Sequence, residues 1–133
     1  RGAATRAIIR VLRQNEIIGI LIDQDTRKVD GVFVDFLGYS AYTPVGPIVL
    51  AMKTGAAIVP MAVHLKKNGR HFIEIIPALD LKFTGDPETD RIENTKLCND
   101  ALSRFILKRP TQWVWMHERW KTKPEDIRKR TRK

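Results

Sequence analysis

The residues best suited to chemistry in this sequence are two carboxylates, an amide and a guanidinium that follow an aliphatic run. The run is Ile17–Ile22, and the polar residues are Asp23, Gln24, Asp25 and Arg27. Open α/β sheets bind ligands at the carboxyl ends of their strands, so polar residues directly after a buried strand indicate a ligand site. The same side chains could bind a cation, or could cap the loop and pair with each other. Spacing alone leaves all three interpretations open.

A second group of candidates lies in the segment that follows, where large apolar residues surround a glycine. These are Phe33, Phe36, Leu37 and Tyr39, placed around Gly38. They either bury beneath the loop or line an apolar pocket. Because aromatic residues in loops pack more often than they bind, the sequence favours the first interpretation.

Three tryptophans, Trp113, Trp115 and Trp120, lie close together near the end of the sequence and are followed by cations. Tryptophan favours places with one apolar and one wet side, including bilayer interfaces. The alternative is that Trp113 and Trp115 close the core. His117, within this group, is expected to be a hydrogen-bonded structural histidine.

The motifs of several enzyme classes are absent from the sequence. None of the three histidines, His64, His71 and His117, has Asp or Glu at the His-x4-Asp/Glu spacing, and there is no Walker loop, zinc motif or Gly-x-Ser-x-Gly elbow. Cys98 is the only cysteine, and its helical spacing with Ala101 predicts a buried structural thiol. We therefore expect no catalytic residue, metal site or cofactor in this chain.

The elements that must position these residues can be read from the hydrophobic pattern. The predicted helices are Ala3–Gln14, one that starts at Thr43-Pro44 and stops at Gly55, and Asp90–Lys108; the predicted strands are Ile17–Ile22, Ala57–Leu65 and Phe72–Ile76. Asn68-Gly69 indicates a two-residue hairpin turn between the last two strands, which are expected to pair antiparallel. Residues 23–42 are predicted to form a long functional loop. The alternation predicts an α/β fold with a mixed sheet flanked by helices.

The length and the charge distribution of the sequence indicate how the chain is divided into a domain and a tail. The 133 residues suffice for one domain, which we place at residues 1–124, followed by a basic, flexible tail at 125–133. Residues 119–133 hold 8 Lys and Arg against 2 Asp and Glu, a net charge of +6 of the total +9. Such a tail suits phosphate-bearing partners. The chain starts at Arg1, and its longest aliphatic run is far shorter than the ~18 residues of a spanning helix, so we expect any membrane anchor to lie upstream.

Several motifs, taken in order, resemble those of the lipid A biosynthesis acyltransferase family, which comprises lauroyl and myristoyl transferases. They are Ile22–Asp25, Gly31–Gly38, Thr43–Pro47, Gly55–Pro60 and Trp113–Pro124. The resemblance runs from about Arg1 to Pro124. It implies the C-terminal part of a glycerolipid-acyltransferase-like fold.

In that family a His-x4-Glu or His-x4-Asp pair activates the acceptor hydroxyl, which attacks a thioester. The pair precedes the Asp-Gln-Asp motif and is not in this chain, so the resemblance implies that the chain alone is inactive. It also implies an acyl carrier protein or acyl-CoA donor and a phosphorylated glycolipid acceptor. The implied location is the cytoplasmic face of the inner membrane, against an anionic membrane surface.

The resemblance assigns substrate-binding roles along the whole chain. The expected residues are Asp23, Gln24, Asp25, Arg27, Phe36, Gly38, Thr43, Gly46, Pro60, Arg119 and Lys121. Leu37 departs from the family's Phe-Phe-Gly signature, and Glu118 stands where relatives often carry a cation. The alternatives are glycerophospholipid acyl transfer and a non-enzymatic basic module that binds nucleic acid or membranes. No RNA- or DNA-binding motif supports the nucleic-acid alternative.

Overall fold

A computed structural model describes residues 2–131. The helices are α1 (Gly2–Arg13), α2 (Gly46–Thr54), α3 (Pro87–Lys108) and α4 (Pro124–Thr131); the strands are β1 (Gly31–Phe36), β2 (Tyr39–Pro44), β3 (Met61–Leu65) and β4 (His71–Ile75). The fold is α/β, as predicted. Its described strands form two separate two-stranded antiparallel sheets, β1–β2 and β3–β4, so the predicted mixed sheet is wrong.

The β1–β2 hairpin occupies much of the segment predicted as a loop. Its two turn residues, Leu37 and Gly38, both have positive φ angles, 54° and 84°. Positive φ at both central residues is characteristic of tight hairpin turns, and it usually calls for Asn-Gly or Gly-Gly. Leu-Gly does not give that signal, which is why the sequence did not predict the hairpin.

The β3–β4 hairpin confirms the antiparallel pairing predicted from Asn68-Gly69, but its turn is longer than the predicted two residues, because the Lys66 N–H donates to the Arg70 carbonyl oxygen. Gly69 has a φ of 76°, and the register pairs Met61 with Ile75 and Leu65 with His71. The first strand begins at Met61, four residues later than predicted. Pro60 lacks the N–H that a ladder needs, so the regular strand starts after it.

The helices agree with the predicted ones in type and differ at their starts. Because Thr43 and Pro44 end β2, α2 begins at Gly46; it stops at Gly55, whose φ is 75°. Asp86 caps α3 by accepting hydrogen bonds from the backbone of Glu88 and Thr89. The buried face of α3 mixes polar with apolar residues: Asp90, Asn94, Thr95, Cys98, Asn99, Ala101, Phe105 and Ile106.

The aliphatic run Ile17–Ile22 does not form the predicted buried strand. Ile18 and Ile22 are half-buried, whereas Ile17 is 95% and Leu21 84% exposed. Within residues 2–131 no backbone group of this run is hydrogen-bonded to another segment. The aliphatic side chains of Ile17–Ile22 are typical of a strand, but no described strand lies beside this run to form backbone hydrogen bonds with it.

The core lies between the β1–β2 hairpin and α3, where Phe36, Ala41 and Ile106 are buried together. At the C-terminal end, most of the segment predicted as a flexible tail forms helix α4. Its first turn is capped by Asp126, which accepts from the backbone N–H of Lys123. Residues 132 and 133 lie outside the described part. Within that part, no helix is long and apolar enough to cross a membrane.

Candidate functional site

Arg119 lies at the centre of the largest group of predicted site residues. It is fully buried, and it donates hydrogen bonds to the Tyr42 carbonyl oxygen at 2.8 Å and to Thr43 Oγ1 at 2.6 Å. Its guanidinium carbon lies 4.7 Å from the centroid of the Phe36 ring. Burial lowers the pKa of Arg119, while the charges of Asp25 and Asp23 act in the opposite direction. Arginine remains protonated under such shifts, so the core holds a cation.

Asp25 links the loop that follows Ile17–Ile22 to the C-terminal segment of the chain. Its carboxylate accepts from the Thr122 backbone N–H at 2.8 Å and from Thr122 Oγ1 at 2.6 Å. Asp25 and Thr122 are 97 positions apart, so their contact joins two distant segments of the chain and is not a local turn cap. Both carboxylate oxygens are therefore engaged within the chain, which gives Asp25 a positioning role.

Asn99 completes this group, although the sequence did not predict it. Its Nδ2 donates to the Asp35 carbonyl oxygen at 2.9 Å and to Thr43 Oγ1 at 3.0 Å. The available signal was that polar residues on α3 continue the helical spacing of the buried face. These connected side chains form the Arg119 network, which consists of Asp25, Phe36, Thr43, Asn99, Arg119 and Thr122.

An apolar cavity of about 200 Å³ is lined in part by the aliphatic run Ile17–Ile22. Among its lining residues are Ile18, Ile22, Pro60, Cys98 and Leu102, and no lining residue is charged. Burial raises the pKa of the Cys98 thiol to about 11, so this wall is neutral at pH 7. The prediction of a buried structural thiol is confirmed.

Asp23 connects the cavity with the Arg119 network. It follows Ile22, which lines the cavity, and it contributes to the electrostatic environment of Arg119. Its Oδ1 atom is buried and has no hydrogen-bond partner within residues 2–131. A buried carboxylate oxygen without a partner is costly, and it is free to accept a hydrogen bond from a bound polar group.

The structure does not bring the remaining predicted site residues into this group. Gly38 forms the β1–β2 turn, where its N–H donates to Asp35 Oδ1 at 3.2 Å. Gly46 borders a separate groove beside α1 and α2. Gln24 is half-buried next to Asp25, and Arg27 is exposed. Lys121 is also exposed and forms an ion pair with Glu118.

The tryptophans were predicted either to close the core or to face a bilayer interface, and they differ in this respect. Trp113 and Trp120 pack around Phe36, with ring centroids 5.6 and 5.9 Å from the Phe36 ring. Trp115 is 51% exposed, although its Nε1 donates to the Pro110 carbonyl oxygen at 2.6 Å. Trp113 therefore closes the core, and Trp115 presents a ring to the outside.

A histidine–carboxylate pair without the His-x4-Asp/Glu spacing lies on the β3–β4 hairpin. His64 Nε2 is 3.1 Å from Glu74 Oε2. Such a pair could act as a general base, but an ion pair with Lys108 lowers the pKa of Glu74 and joins the hairpin to α3. Gln112 adds two hydrogen bonds to the backbone of Leu65. The His64–Glu74 pair is therefore part of the contacts that attach the β3–β4 hairpin to α3. Within residues 2–131, no cluster of three or more His, Cys, Asp or Glu could hold a metal.

Comparison with known proteins agrees with these motifs. The family model described as bacterial lipid A biosynthesis acyltransferase matches residues 1–122. The chain is 30% identical to the lipid A biosynthesis lauroyltransferase of Escherichia coli (strain K12) over 124 residues, which are 92% of this chain and 39% of that protein. It is 32% identical to the phosphatidylinositol mannoside acyltransferase of Mycobacterium tuberculosis (strain ATCC 25618 / H37Rv) over 109 residues, 82% of this chain and 32% of that protein.

The lipid A biosynthesis palmitoleoyltransferase of Escherichia coli (strain K12) is 27% identical over 121 residues, 90% of this chain and 38% of that protein. The chain thus spans about a third to two fifths of the length of these relatives. Because the family model covers nearly all of the sequence, the chain belongs to the bacterial lipid A biosynthesis acyltransferase family.

Proposed function

We propose that this chain is the C-terminal, substrate-binding part of an O-acyltransferase that transfers a fatty acyl group from a thioester donor to a hydroxyl of a lipid A precursor. The observation that carries the proposal is the apolar cavity of about 200 Å³ beside the Asp-Gln-Asp segment. An acyl chain needs a dry, uncharged site, because its methylenes gain about 0.8 kcal/mol each on leaving water. No residue of the cavity's lining is charged, and most of the lining area is apolar.

The polar end of the substrate is proposed to lie beside Asp23. Its unpaired Oδ1 is available to a hydroxyl or amide donor. Asp25 acts differently, because both its oxygens are used by Thr122. We assign Asp23 to substrate binding, and Asp25 with Arg119 to holding the loop that presents Asp23. Pro60 contributes to the cavity wall.

The general base is proposed to come from the family's His-x4-Glu or His-x4-Asp pair, in a glycerolipid-acyltransferase-like fold completed around this chain. A hydroxyl at neutral pH is a poor nucleophile until a positioned base removes its proton. The chain alone is therefore proposed to bind an acyl chain without transferring it. Its donor would be an acyl carrier protein or acyl-CoA.

Another glycolipid acceptor is the second candidate. Its support is the 32% identity to a phosphatidylinositol mannoside acyltransferase, which is as high as the identity to the lauroyltransferase. Both names describe acyl transfer in glycolipid assembly. Purified precursors of the two kinds, offered to the same complete enzyme, distinguish the candidates by which one becomes acylated.

The proposed location is the cytoplasmic face of the inner membrane. Trp115 and Met116 are exposed, and the exposed cations Lys121 and Lys123 follow closely in sequence. Exposed tryptophan beside cations suits a bilayer interface with anionic head groups, where each cation contributes about 1 kcal/mol.

The cavity assignment can be tested by ligand binding. A fluorescent fatty acid is titrated into the chain and displaced with saturated acyl chains of increasing length. Ala56→Leu adds volume at the half-buried lining residue Ala56 and should weaken binding of the longer chains at least tenfold. Ala78→Leu, at an exposed position outside the lining, is the matched control and should bind as the original chain does. Equal binding by both variants would place the acyl chain elsewhere.

A further inference from the structure

Thr43 joins three buried parts of the chain. It lies near the end of β2, and its Oγ1 accepts hydrogen bonds from Asn99 Nδ2 at 3.0 Å and from Arg119 Nη2 at 2.6 Å. The same hydroxyl donates to the Ala41 carbonyl oxygen at 3.2 Å. A hydroxyl offers one donor and two acceptor sites, so Thr43 uses all three within the chain. This hydroxyl has no site left for a substrate.

The first partner of Thr43, Asn99, holds α3 in place. Asn99 is fully buried, and it also donates to the Asp35 carbonyl oxygen of β1 at 2.9 Å. Its neighbours on the helix, Cys98 and Leu102, line the apolar cavity. The part of α3 that forms the cavity wall is therefore fixed to the β1–β2 hairpin through Asn99 and Thr43.

The second partner, Arg119, holds the loop that carries Asp23. Arg119 is fully buried, and the charges of Asp25 and Asp23 act on it. Three residues further along the chain, Thr122 binds both carboxylate oxygens of Asp25. Thr43 therefore connects the α3 wall of the cavity with the Asp23 loop.

The spacing between these two elements matters for acyl transfer. In the proposed function the acyl chain lies against Cys98 and Leu102, whereas the polar end of the substrate lies beside Asp23. The acyl carbonyl carbon and the acceptor hydroxyl react only when they are held close together and aligned, and a displacement of about 1 Å can cost about 100-fold in rate. An element that fixes α3 relative to the Asp23 loop therefore acts on the rate without touching the substrate.

We infer that Thr43 is a positioning residue for acyl transfer, whose hydroxyl sets the distance between the α3 wall of the acyl cavity and Asp23. The inference rests on the proposed roles of the cavity and of Asp23. Loss of the hydroxyl leaves every lining residue of the cavity in the chain, so it acts on kcat more than on the KM of the acyl donor.

The kinetic test compares three variants of the complete enzyme. Thr43→Val keeps the shape of the side chain and removes the hydroxyl, so kcat should fall about tenfold or more while the KM of the thioester donor changes less than about threefold. Thr43→Ser keeps the hydroxyl and should retain kcat within about threefold. Thr95→Val is the matched control and should leave kcat unchanged, because Thr95 is buried on α3 and its Oγ1 has no hydrogen-bond partner within residues 2–131. An unchanged kcat in Thr43→Val, an equal loss in Thr43→Ser, or a rise in KM alone would overturn the inference.

Hydrogen exchange in the chain itself tests the positioning role separately from the reaction. The Thr122 N–H reports on the Asp25 contact, and the Lys82 N–H, which donates to Asn94 Oδ1 at 2.7 Å, reports on another buried contact of α3. Thr43→Val should speed exchange at Thr122 about tenfold more than at Lys82, and Asn94→Ala should do the reverse.

This pattern separates the two ways of failing. A complete enzyme that transfers no acyl group in any form would refute the proposed function, whereas the exchange pattern would still decide whether Thr43 fixes the loop. Equal acceleration at Thr122 and Lys82 in Thr43→Val would show a general loss of stability and would overturn the positioning role.

Discussion

Replacing Asp25 with alanine should destabilise the isolated domain strongly, because one side chain joins two segments 97 residues apart. The substitution removes two hydrogen bonds from Thr122 to a carboxylate. Hydrogen bonds to charged groups contribute about 1.5–3 kcal/mol each, and partial exposure of Asp25 places these at the lower end. It also removes a negative charge near the buried Arg119. We expect a loss of about 3 kcal/mol in the free energy of unfolding.

Urea denaturation followed by tryptophan fluorescence measures this loss, because Trp113 and Trp120 pack around Phe36 next to Arg119. For a chain of this size the melting temperature should fall by roughly 10 °C. Thr122→Val removes only the hydroxyl donor and should cost about 1 kcal/mol.

The double variant tests whether Asp25 and Thr122 act as a pair. Residues in direct contact show coupling energies of about 0.5–3 kcal/mol, whereas independent ones add. A loss below about 0.5 kcal/mol for Asp25→Ala, or strict additivity with Thr122→Val, would refute the assignment of Asp25 to holding the C-terminal segment.

Three further predictions follow from the site. Asp23→Asn should lower acyl transfer by the complete enzyme at least tenfold, while its melting temperature should fall much less than with Asp25→Ala, since Asp23 Oδ1 has no hydrogen-bond partner within residues 2–131 and only the charge near Arg119 is lost. Parallel rate and melting measurements check this. Cys98, with its pKa raised from 9.0 to about 11, should hold about 100-fold less thiolate at pH 8 than an ordinary thiol and react correspondingly slowly with a disulfide reagent. Because the pKa of Cys98 is higher in the folded chain, the neutral thiol contributes its full stability below pH 9, and this contribution is lost as the pH rises towards 11. Melting temperatures of the chain and of its Cys98→Ala variant, measured across this pH range, should show the loss. Gln112→Ala removes two exposed hydrogen bonds to Leu65 and should cost about 1 kcal/mol, seen as roughly fivefold faster exchange at Leu65.

The sequence predicted local structure best where backbone chemistry dictates it. Asn68-Gly69 located one hairpin, and Gly55 located the end of one helix. It failed for the β1–β2 hairpin, because Leu37 adopts a left-handed conformation that its residue type does not suggest. It also failed for Ile17–Ile22, where the side-chain pattern was strand-like but pairing depends on a neighbour.

The predicted site residues lie together only in part, and the sequence did not reveal the contacts among them. Motif resemblance selected Asp25, Phe36, Thr43 and Arg119, which the structure brings together. It could not reveal that Arg119 is fully buried and hydrogen-bonded to the backbone, because burial of a cation depends on tertiary packing. Asn99 was missed for the same reason, since a polar residue on a helix is usually solvated.

The most direct test of the account is an acyl-transfer assay with the chain alone and with the chain joined to the unmatched portion of the Escherichia coli lauroyltransferase. Each protein is given an acyl carrier protein thioester and a lipid A precursor, and the product is followed by mass spectrometry. We expect no product from the chain alone, acylated precursor from the joined protein, and a shift to shorter acyl chains with Ala56→Leu. Acyl transfer by the chain alone, or a joined protein whose chain preference ignores Ala56→Leu, would contradict it.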